Sequence, residues 1–207
     1  MTLSLTRRRT LGLALAASLA PAISFAQEVH DVNEMSLGSP DAPVTLVEYA
    51  SFTCPHCAAF AADVMPQIKE NYIDTGKVRL VFREVYFDRA GLWASMIARC
   101  APEDRYFGIS DLLFQRQRDW AVASTPEEMM QKLFGIGRQA GLTDAEMESC
   151  MSDEAYAKEL VETFQKNIAA DEVEATPTFF INGRLMSGAR PIADFEAVVA
   201  EELERRP

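Results

Sequence analysis

The pattern of apolar and polar positions divides the first part of the chain into strand, helix and strand. Residues 44–50 (Val-Thr-Leu-Val-Glu-Tyr-Ala) are mostly apolar, β-branched or aromatic, which predicts a buried strand. The alanine-rich residues 58–62 predict a helix, and Pro66 should kink or end it because proline has no backbone N–H. Residues 77–87 mix apolar and charged residues at β-like periodicity. This order predicts two parallel strands joined by a right-handed crossover.

A helical region follows, because the β pattern disappears between about residue 88 and residue 167. Residues 125–128 (Thr-Pro-Glu-Glu) and 143–146 (Thr-Asp-Ala-Glu) both have the capping-box pattern that begins a helix. Apolar residues also recur at helical spacing in 92–101, 106–120, 129–140 and 156–168. We therefore predict a helical lobe of four or five helices.

The strand pattern returns near the end of the chain. Residues 178–181 (Thr-Phe-Phe-Ile) predict a strand, and Asn182-Gly183 is the two-residue turn typical of a hairpin whose second strand is 184–186. Pro191 should begin a terminal helix with one apolar face. The predicted fold is α/β, with an all-helical lobe inserted between its second strand and its hairpin.

The first 26 residues have the features of a cleaved signal peptide. Residues 7–9 are three arginines, residues 11–22 are apolar but too few to span a membrane, and residues 24–26 (Ser-Phe-Ala) are a small-x-small cleavage site. We expect cleavage before Gln27, and export by either the general or the twin-arginine route. An uncleaved membrane anchor is the alternative.

The composition fits an exported globular protein with one core, alone or with an inserted lobe. The chain has 207 residues, of which 48% are hydrophobic and 25% charged. Its net charge of −11 becomes −14 when residues 1–26 are removed, because they hold three arginines and no acid. Such an acidic protein is a poor candidate for binding nucleic acid or an anionic membrane surface. Disulfides persist outside the cytoplasm, so the four cysteines are expected to form two pairs.

The candidate reactive site is Cys54-Pro55-His56-Cys57, between the first predicted strand and its helix. Free backbone N–H groups and the helix dipole at a helix N-terminus stabilise a thiolate. A protonated His56 would lower the pKa of the Cys54 thiol further. A stable thiolate stabilises the reduced form, so the disulfide of this motif is expected to be a strong oxidant.

Other interpretations of the motif fit less well. A c-type haem site needs a histidine directly after the second cysteine, where Ala58 stands. A zinc site needs further ligands at short spacing, whereas Cys100, Cys150 and His30 lie far apart in the sequence. We therefore expect no metal and no cofactor. A purely structural disulfide is the remaining alternative, although it would not need a strand-to-helix junction.

Glu48 is an acid within the apolar strand, six residues before Cys54. Burial would raise the pKa of its carboxyl group, which could then exchange protons with the sulfur next to it. The alternative is an edge strand from which Glu48 points into solvent.

Cys100 and Cys150 are the second candidate pair. A bridge between them would close a loop of about 50 residues and stabilise the fold by up to ~4 kcal/mol in the chain-entropy model. Export, even parity and the helical context favour such a structural disulfide. Two buried free cysteines are the alternative.

Residues 176–183 (Thr-Pro-Thr-Phe-Phe-Ile-Asn-Gly) complete a pattern that resembles thioredoxin-fold oxidoreductases. Together with Glu48, the Cys-Pro-His-Cys motif and the helical insert, Thr176-Pro177 resembles the DsbA family of exported thiol oxidases. The resemblance implies a cis Thr176–Pro177 bond against Cys54, with backbone groups exposed to pair with an extended substrate segment.

The same resemblance implies how the chain is divided. Residues 27–87 and 169–207 would form the two parts of a thioredoxin fold, and residues 88–168 its inserted all-helical lobe. Isomerases of this superfamily normally carry a dimerisation domain before the thioredoxin fold, and only a few residues separate Gln27 from the first strand. This favours a monomeric oxidase.

The implied function is a periplasmic thiol:disulfide oxidoreductase. It would donate the disulfide of Cys54 and Cys57 to reduced, unfolded exported proteins, and a DsbB-like membrane quinone reductase would reoxidise it. The fold does not by itself choose among oxidase, isomerase and reductase. A redox-inert chaperone that binds peptides is the alternative from another class.

Overall fold

The computed structural model describes residues 32–205. The expected signal peptide and the expected start at Gln27 lie outside the described residues. Within these residues five strands form one sheet, in the order β1-β3-β2-β4-β5. The strands are β1 (Met35–Leu37), β2 (Val44–Ala50), β3 (Val78–Glu84), β4 (Thr178–Ile181) and β5 (Arg184–Ser187).

The helices lie in three parts of the chain. Two short helices and a π-helical turn connect β2 to β3, six helices lie between β3 and β4, and one follows β5. Their bounds are α1 (Pro55–Asp63), α2 (Met65–Ile68), the π-helical turn (Lys69–Ile73), α3 (Arg89–Arg99), α4 (Glu103–Gln115), α5 (Gln117–Trp120), α6 (Pro126–Gln139), α7 (Asp144–Met151), α8 (Glu154–Ala170) and α9 (Ile192–Arg205). No helix in this part of the chain is both long and apolar enough to cross a bilayer.

The strand pairing agrees with the predicted topology. Strands β2 and β3 are parallel, whereas β4 runs antiparallel to β2 and β5 antiparallel to β4. The hairpin turns at Asn182 (φ 47°) and Gly183 (φ 86°), which is the left-handed backbone that this residue pair accommodates. The β3 strand ends at Glu84, three residues before the predicted end, and the Val85 N–H donates a last hydrogen bond to the Ala50 carbonyl at 2.8 Å.

Two helical predictions need correction. The stretch 106–120 is two helices, because the backbone of Arg116 leaves helical geometry (φ −101°, ψ 13°) between α4 and α5. The insert therefore has six helices where four or five were expected. Thr143 and Glu146 form the predicted capping box. Thr125 caps α6, but Glu128 accepts from the Ser124 N–H, one residue before the expected donor.

The core has two parts that meet at α1. Phe60 on α1 lies 4.5 Å from Phe179 of β4 and 5.3 Å from Phe195 of α9, measured between ring centroids. A second cluster joins Phe52 and Cys57 to side chains of the insert such as Trp120. The insert thus covers one of the two reactive cysteines with apolar groups.

A buried ion pair attaches the insert to the sheet. Arg99 of α3 donates to Glu84 at the end of β3 at 2.6 Å, and both side chains are almost fully buried. The Tyr106 hydroxyl of α4 donates to the same carboxylate at 2.7 Å. Removing one partner would leave a buried charge without compensation, which typically costs ~3–5 kcal/mol. The contact therefore holds α3 and α4 at the end of β3, the end at which the reactive motif lies.

Candidate active site

Cys54 lies at the N-terminus of α1, just beyond the end of β2. Its backbone is extended (φ −80°, ψ 118°), Pro55 occupies the first helical position, and the Ala58 N–H donates to the Cys54 carbonyl at 3.2 Å. Proline fits this position because a first-turn N–H has no helical partner to lose. The strand-to-helix junction is the one that the sequence pattern predicts.

The two thiols have pKa values shifted in opposite directions. The pKa of Cys54 falls to about 5, mainly because the Cys57 thiol donates a hydrogen bond to its sulfur. Thr176 and the backbone N–H groups of Cys57 and His56 lower it further, while partial burial opposes the shift. The pKa of Cys57 is raised by that same hydrogen bond, by burial and by the charge on Cys54. Cys57 is fully buried and Cys54 is partly exposed.

His56 acts on Cys54 through its backbone. Its side chain is exposed, and the part of the residue that lowers the pKa of Cys54 is the backbone N–H. Any residue with a backbone N–H could supply this hydrogen bond at position 56, and it lowers the pKa of Cys54 less than the hydrogen bond from the Cys57 thiol does.

Thr176 and Pro177 lie next to Cys54. The bond between them is cis, and the Cys54 thiol donates to the Thr176 carbonyl at 3.4 Å. The Thr176 hydroxyl is buried and has no hydrogen-bond partner within residues 32–205. The Thr176 side chain is also one of the groups that lower the pKa of Cys54, so its hydroxyl is the donor available to the Cys54 thiolate.

Glu48 is buried in the middle of the sheet and does not face solvent. Its exposure is 2%, and it lies on β2 between Phe82 of β3 and Phe179 of β4. Burial raises the pKa of its carboxyl group to about 8. Its charge, when present, also raises the pKa of Cys57. A carboxyl group with a pKa of about 8 thus acts electrostatically on the buried Cys57 thiol.

Comparison with known proteins places this geometry in a family. The sequence profile of the family described as Thioredoxin matches residues 30–201. The chain belongs to the thioredoxin family. Among solved structures, α-DsbA1 of Wolbachia pipientis superposes with a TM-score of 0.78 at 30% identity, covering 84% of this chain and 92% of that one. The present protein is a DsbA-like member of the thioredoxin family.

Two curated relatives of this thioredoxin-family chain carry names that describe disulfide chemistry. A putative protein-disulfide oxidoreductase of Rickettsia bellii is 36% identical over 154 residues, which are 74% of this chain and 58% of the relative. Disulfide bond formation protein D of Bacillus subtilis is 25% identical over 179 residues, which are 81% of this chain and 76% of the relative. The chain thus spans less than two thirds of the length of the rickettsial relative.

Gln117 is part of the DsbA-like site, and no feature of the sequence indicated it. The residue begins α5 in the insert, is buried, and its side-chain amide donates to the carbonyls of Phe52 at 2.8 Å and Cys54 at 2.9 Å. A single glutamine in a helical stretch has no periodicity or spacing that would reveal such a contact. The insert therefore holds the reactive loop directly.

Phe87 is a second residue that sequence reasoning missed. It follows β3 at the same edge of the sheet as Cys54, and 60% of its surface is exposed. The predicted strand 77–87 ends at Phe87, whereas β3 ends at Glu84, so the residue lies outside the sheet.

Cys100 and Cys150 are joined in a disulfide with their Cα atoms 5.7 Å apart. The bond links the C-terminal end of α3 to α7 and closes a separation of 50 residues. It lies within the insert and ties two helices of the lobe together.

Proposed function

We propose that the protein is an exported thiol oxidase that donates a disulfide between Cys54 and Cys57 to reduced, unfolded proteins. The feature that supports this most strongly is the position of Cys54 at the N-terminus of α1, where hydrogen bonds to its sulfur lower its pKa to about 5. Those bonds stabilise the thiolate of the reduced form, and stabilising the reduced form makes the disulfide more oxidising. Relatives named for disulfide bond formation support the same reaction class.

The exchange begins when a substrate thiolate attacks Cys54, the more accessible of the two sulfurs. A bond forms between the substrate sulfur and Cys54, the bond to Cys57 breaks, and Cys57 leaves with the electron pair. Its thiolate then takes a proton, which the Glu48 carboxyl group can supply because its pKa of about 8 keeps it largely protonated at pH 7.

A second substrate thiolate completes the reaction. It attacks the substrate sulfur of the mixed disulfide, and Cys54 leaves as a thiolate with a low pKa, which makes it a good leaving group. The substrate loses two electrons and gains a disulfide, while the enzyme gains the two electrons as a reduced dithiol. The peptide groups beside the cis Thr176–Pro177 bond would pair with the extended substrate segment during both steps.

The remaining parts of the proposal concern the setting of the enzyme. The signal-like residues 1–26 direct it to the periplasm, where disulfides persist, and it acts as a monomer. A DsbB-like membrane quinone reductase accepts the two electrons and restores the disulfide. Cell fractionation and oxidation by membranes with and without added quinone would test these points.

A disulfide isomerase is a second candidate, because one neighbouring solved structure carries that name. The protein-disulfide isomerase of Novosphingobium aromaticivorans superposes with a TM-score of 0.71 at 26% identity. An isomerase begins its reaction from the reduced thiolate rather than from the disulfide. It would therefore rearrange wrong disulfides in a scrambled protein, whereas an oxidase accelerates oxidation of a fully reduced one.

The deciding measurement is the reduction potential of Cys54 and Cys57, obtained by equilibrating the mature protein with glutathione buffers. We expect a potential less negative than about −180 mV, the value for protein disulfide isomerase. Cys54→Ser should abolish oxidation of a reduced protein, and Cys57→Ser should trap a mixed disulfide on Cys54. A potential near that of thioredoxin, about −270 mV, would contradict the oxidase proposal and favour a reductase.

A further inference from the structure

An apolar groove of about 870 Å³ lies between α1 and α4. Its lining includes Leu37 and Leu80 from the sheet, and Phe107 and Phe114 from α4. We call it the α1–α4 groove. Its volume is in the range of sites that bind small ligands or a few peptide residues, about 300–1,000 Å³. Water in such a groove is readily replaced by apolar side chains.

The groove begins at the reactive motif. Pro55, the neighbour of Cys54, lines it, and so does Gln117, which donates to the Cys54 carbonyl. The groove lies over β1 and β3, whereas Thr176 and Pro177 precede β4 on the other side of β2. A polypeptide joined to Cys54 therefore has the cis-proline peptide on one side and the mouth of the groove on the other.

The charges in the groove favour a basic group on its occupant. Asp111 of α4 lines it and has no ion-pair or hydrogen-bond partner among residues 32–205. Partial burial raises the pKa of its carboxyl group. Lys69 is the cation that acts on Asp111 electrostatically. However, its ammonium group donates to both carboxylate oxygens of Asp74 at 2.7 Å, so it is already paired.

Two other charged residues line the same groove. Asp63, at the end of α1, adds a second carboxylate, and Arg118 of α5 adds a guanidinium. With Lys69 already paired, carboxylates outnumber free cations. A lysine or arginine brought in by an apolar segment would compensate Asp111, which is exposed to the groove and has no ion-pair partner of its own among residues 32–205.

We propose that the α1–α4 groove binds an apolar segment containing a lysine or arginine, next to the substrate cysteine that reacts with Cys54. The inference rests on the proposed function, and adds to it a preference for the sequence that flanks the substrate cysteine. The occupant is thus the polypeptide undergoing exchange, held on the side of Cys54 away from Thr176.

Gly108 on α4 allows a clean test. It lines the groove, and a Cβ atom added to it would meet no other atom within 4 Å. The Cβ atom of Gly108→Leu therefore meets no clash and the rest of its side chain should occupy part of the groove, while leucine is also the better helix former. Gly135 on α6 has the same open surroundings outside the groove, so Gly135→Leu is the matched control.

The first measurement is the affinity of the oxidised protein for fluorescent peptides in which serine replaces cysteine, with Leu-Leu-Lys-Leu before or after the serine. In one of the two placements we expect the lysine peptide to bind about fivefold more tightly than the same peptide with glutamate. Asp111→Asn should remove this preference. Gly108→Leu should weaken binding of the lysine peptide about tenfold, and Gly135→Leu should not change it.

The second measurement compares oxidation of the matching dithiol peptides with oxidation of dithiothreitol. The ratio of the two rates should fall about tenfold in Gly108→Leu and stay at the wild-type value in Gly135→Leu. Equal binding of the lysine and glutamate peptides, or unchanged binding in Gly108→Leu, would overturn the inference. If the wild-type protein binds the peptides as expected but oxidises neither them nor dithiothreitol, the proposed function fails while the binding site remains.

Discussion

At the scale of single residues, the chemistry depends on two neighbouring thiols whose pKa values are shifted in opposite directions. Cys54 has a pKa of about 5 because Cys57 and backbone N–H groups donate to its sulfur. Cys57, buried beneath it, keeps its proton. The spacing Cys-x-x-Cys at a helix start predicted a reactive first cysteine. The identity of the donors depends on the fold and could not be derived from the sequence.

The first prediction concerns Thr176, whose side chain lowers the pKa of Cys54. Thr176→Val keeps the shape and removes the hydroxyl donor, so the pH at which half of Cys54 is thiolate should rise by about one pH unit. Titration of the reduced protein by thiolate absorbance at 240 nm would measure it. Thr178→Val is the control, because that hydroxyl donates to the Ala175 carbonyl. An unchanged midpoint in Thr176→Val would show that the hydroxyl does not solvate the thiolate.

Glu48 carries the second prediction at this scale. Its pKa of about 8 exceeds the ordinary 4.5, so between these values the folded protein binds more protons than the unfolded chain. The free energy of unfolding should therefore fall as pH rises from 4.5 to 8. Glu48→Gln should remove this dependence and stabilise the protein by up to about 3 kcal/mol at pH 7.

Urea unfolding at pH 5, 7 and 8 would measure the effect of Glu48→Gln. The exposed Glu204→Gln is the control for losing one carboxylate. The variant should also transfer a proton to Cys57 more slowly. This slower transfer would appear as a lower rate of substrate oxidation. Equal stabilisation by the variant at pH 5 and pH 8 would mean that Glu48 does not titrate in this range.

At the scale of secondary-structure elements, the sequence predicted what depends on local pattern and missed what depends on contact. The strand at 44–50, the hairpin at Asn182 and Gly183 and the cap at Thr143 follow from periodicity and turn chemistry. The break at Arg116 was missed because Leu113 and Trp120, on either side of it, are seven residues apart and so keep helical spacing. This break matters for the site, since it separates α5 from α4 and places Gln117 at the start of a new helix.

Gln117 leads to the third prediction. Its amide joins α5 to the carbonyls of Phe52 and Cys54, so it positions the loop that carries the reactive sulfur. Gln117→Met keeps the length and removes both donors, which should cost about 1–3 kcal/mol of stability. If Gln117 has only a structural role, the variant should lose stability and change nothing else. A positioning role should also move the thiolate midpoint of Cys54, and Gln117→Glu, which lacks the donors when ionised, should fail to restore it.

The control for Gln117→Met is Gln131→Met, on the exposed face of α6. It should change neither stability nor the absorbance titration at 240 nm. If Gln117→Met loses stability while the Cys54 midpoint and the rate of oxidation stay at their wild-type values, the contact supports the fold alone.

At the scale of the whole molecule, a disulfide links two helices of the insert, and a buried ion pair contributes to attaching the insert to the sheet. Cys100→Ala with Cys150→Ala removes a bridge across 50 residues, so the free energy of unfolding should fall by up to about 4 kcal/mol. Because neither Cys100 nor Cys150 is among the main causes of the pKa shifts of Cys54 and Cys57, the potential of the reactive pair should change little. Urea denaturation of both proteins would test the first point. Equal midpoints would mean that the bridge does not constrain the unfolded chain.

The last prediction links redox state to stability. Reduced folded protein contains the Cys54 thiol with a pKa of about 5, against 9 for an ordinary thiol, and the oxidised protein contains no such group. Between these pH values the reduced folded protein binds fewer protons than its unfolded chain. The contribution of Cys54 to the free energy of unfolding of the reduced protein therefore grows with pH. It is fully present above pH 9 and is lost as pH falls through about 5. The Tm of the reduced protein relative to the oxidised one should therefore rise between pH 4 and pH 8. Thermal unfolding should be measured in the Cys100→Ala, Cys150→Ala background, where the reactive pair is the only one that changes redox state. A Tm difference that does not depend on pH would contradict a stabilised Cys54 thiolate. It would also contradict the physical basis of an oxidising disulfide.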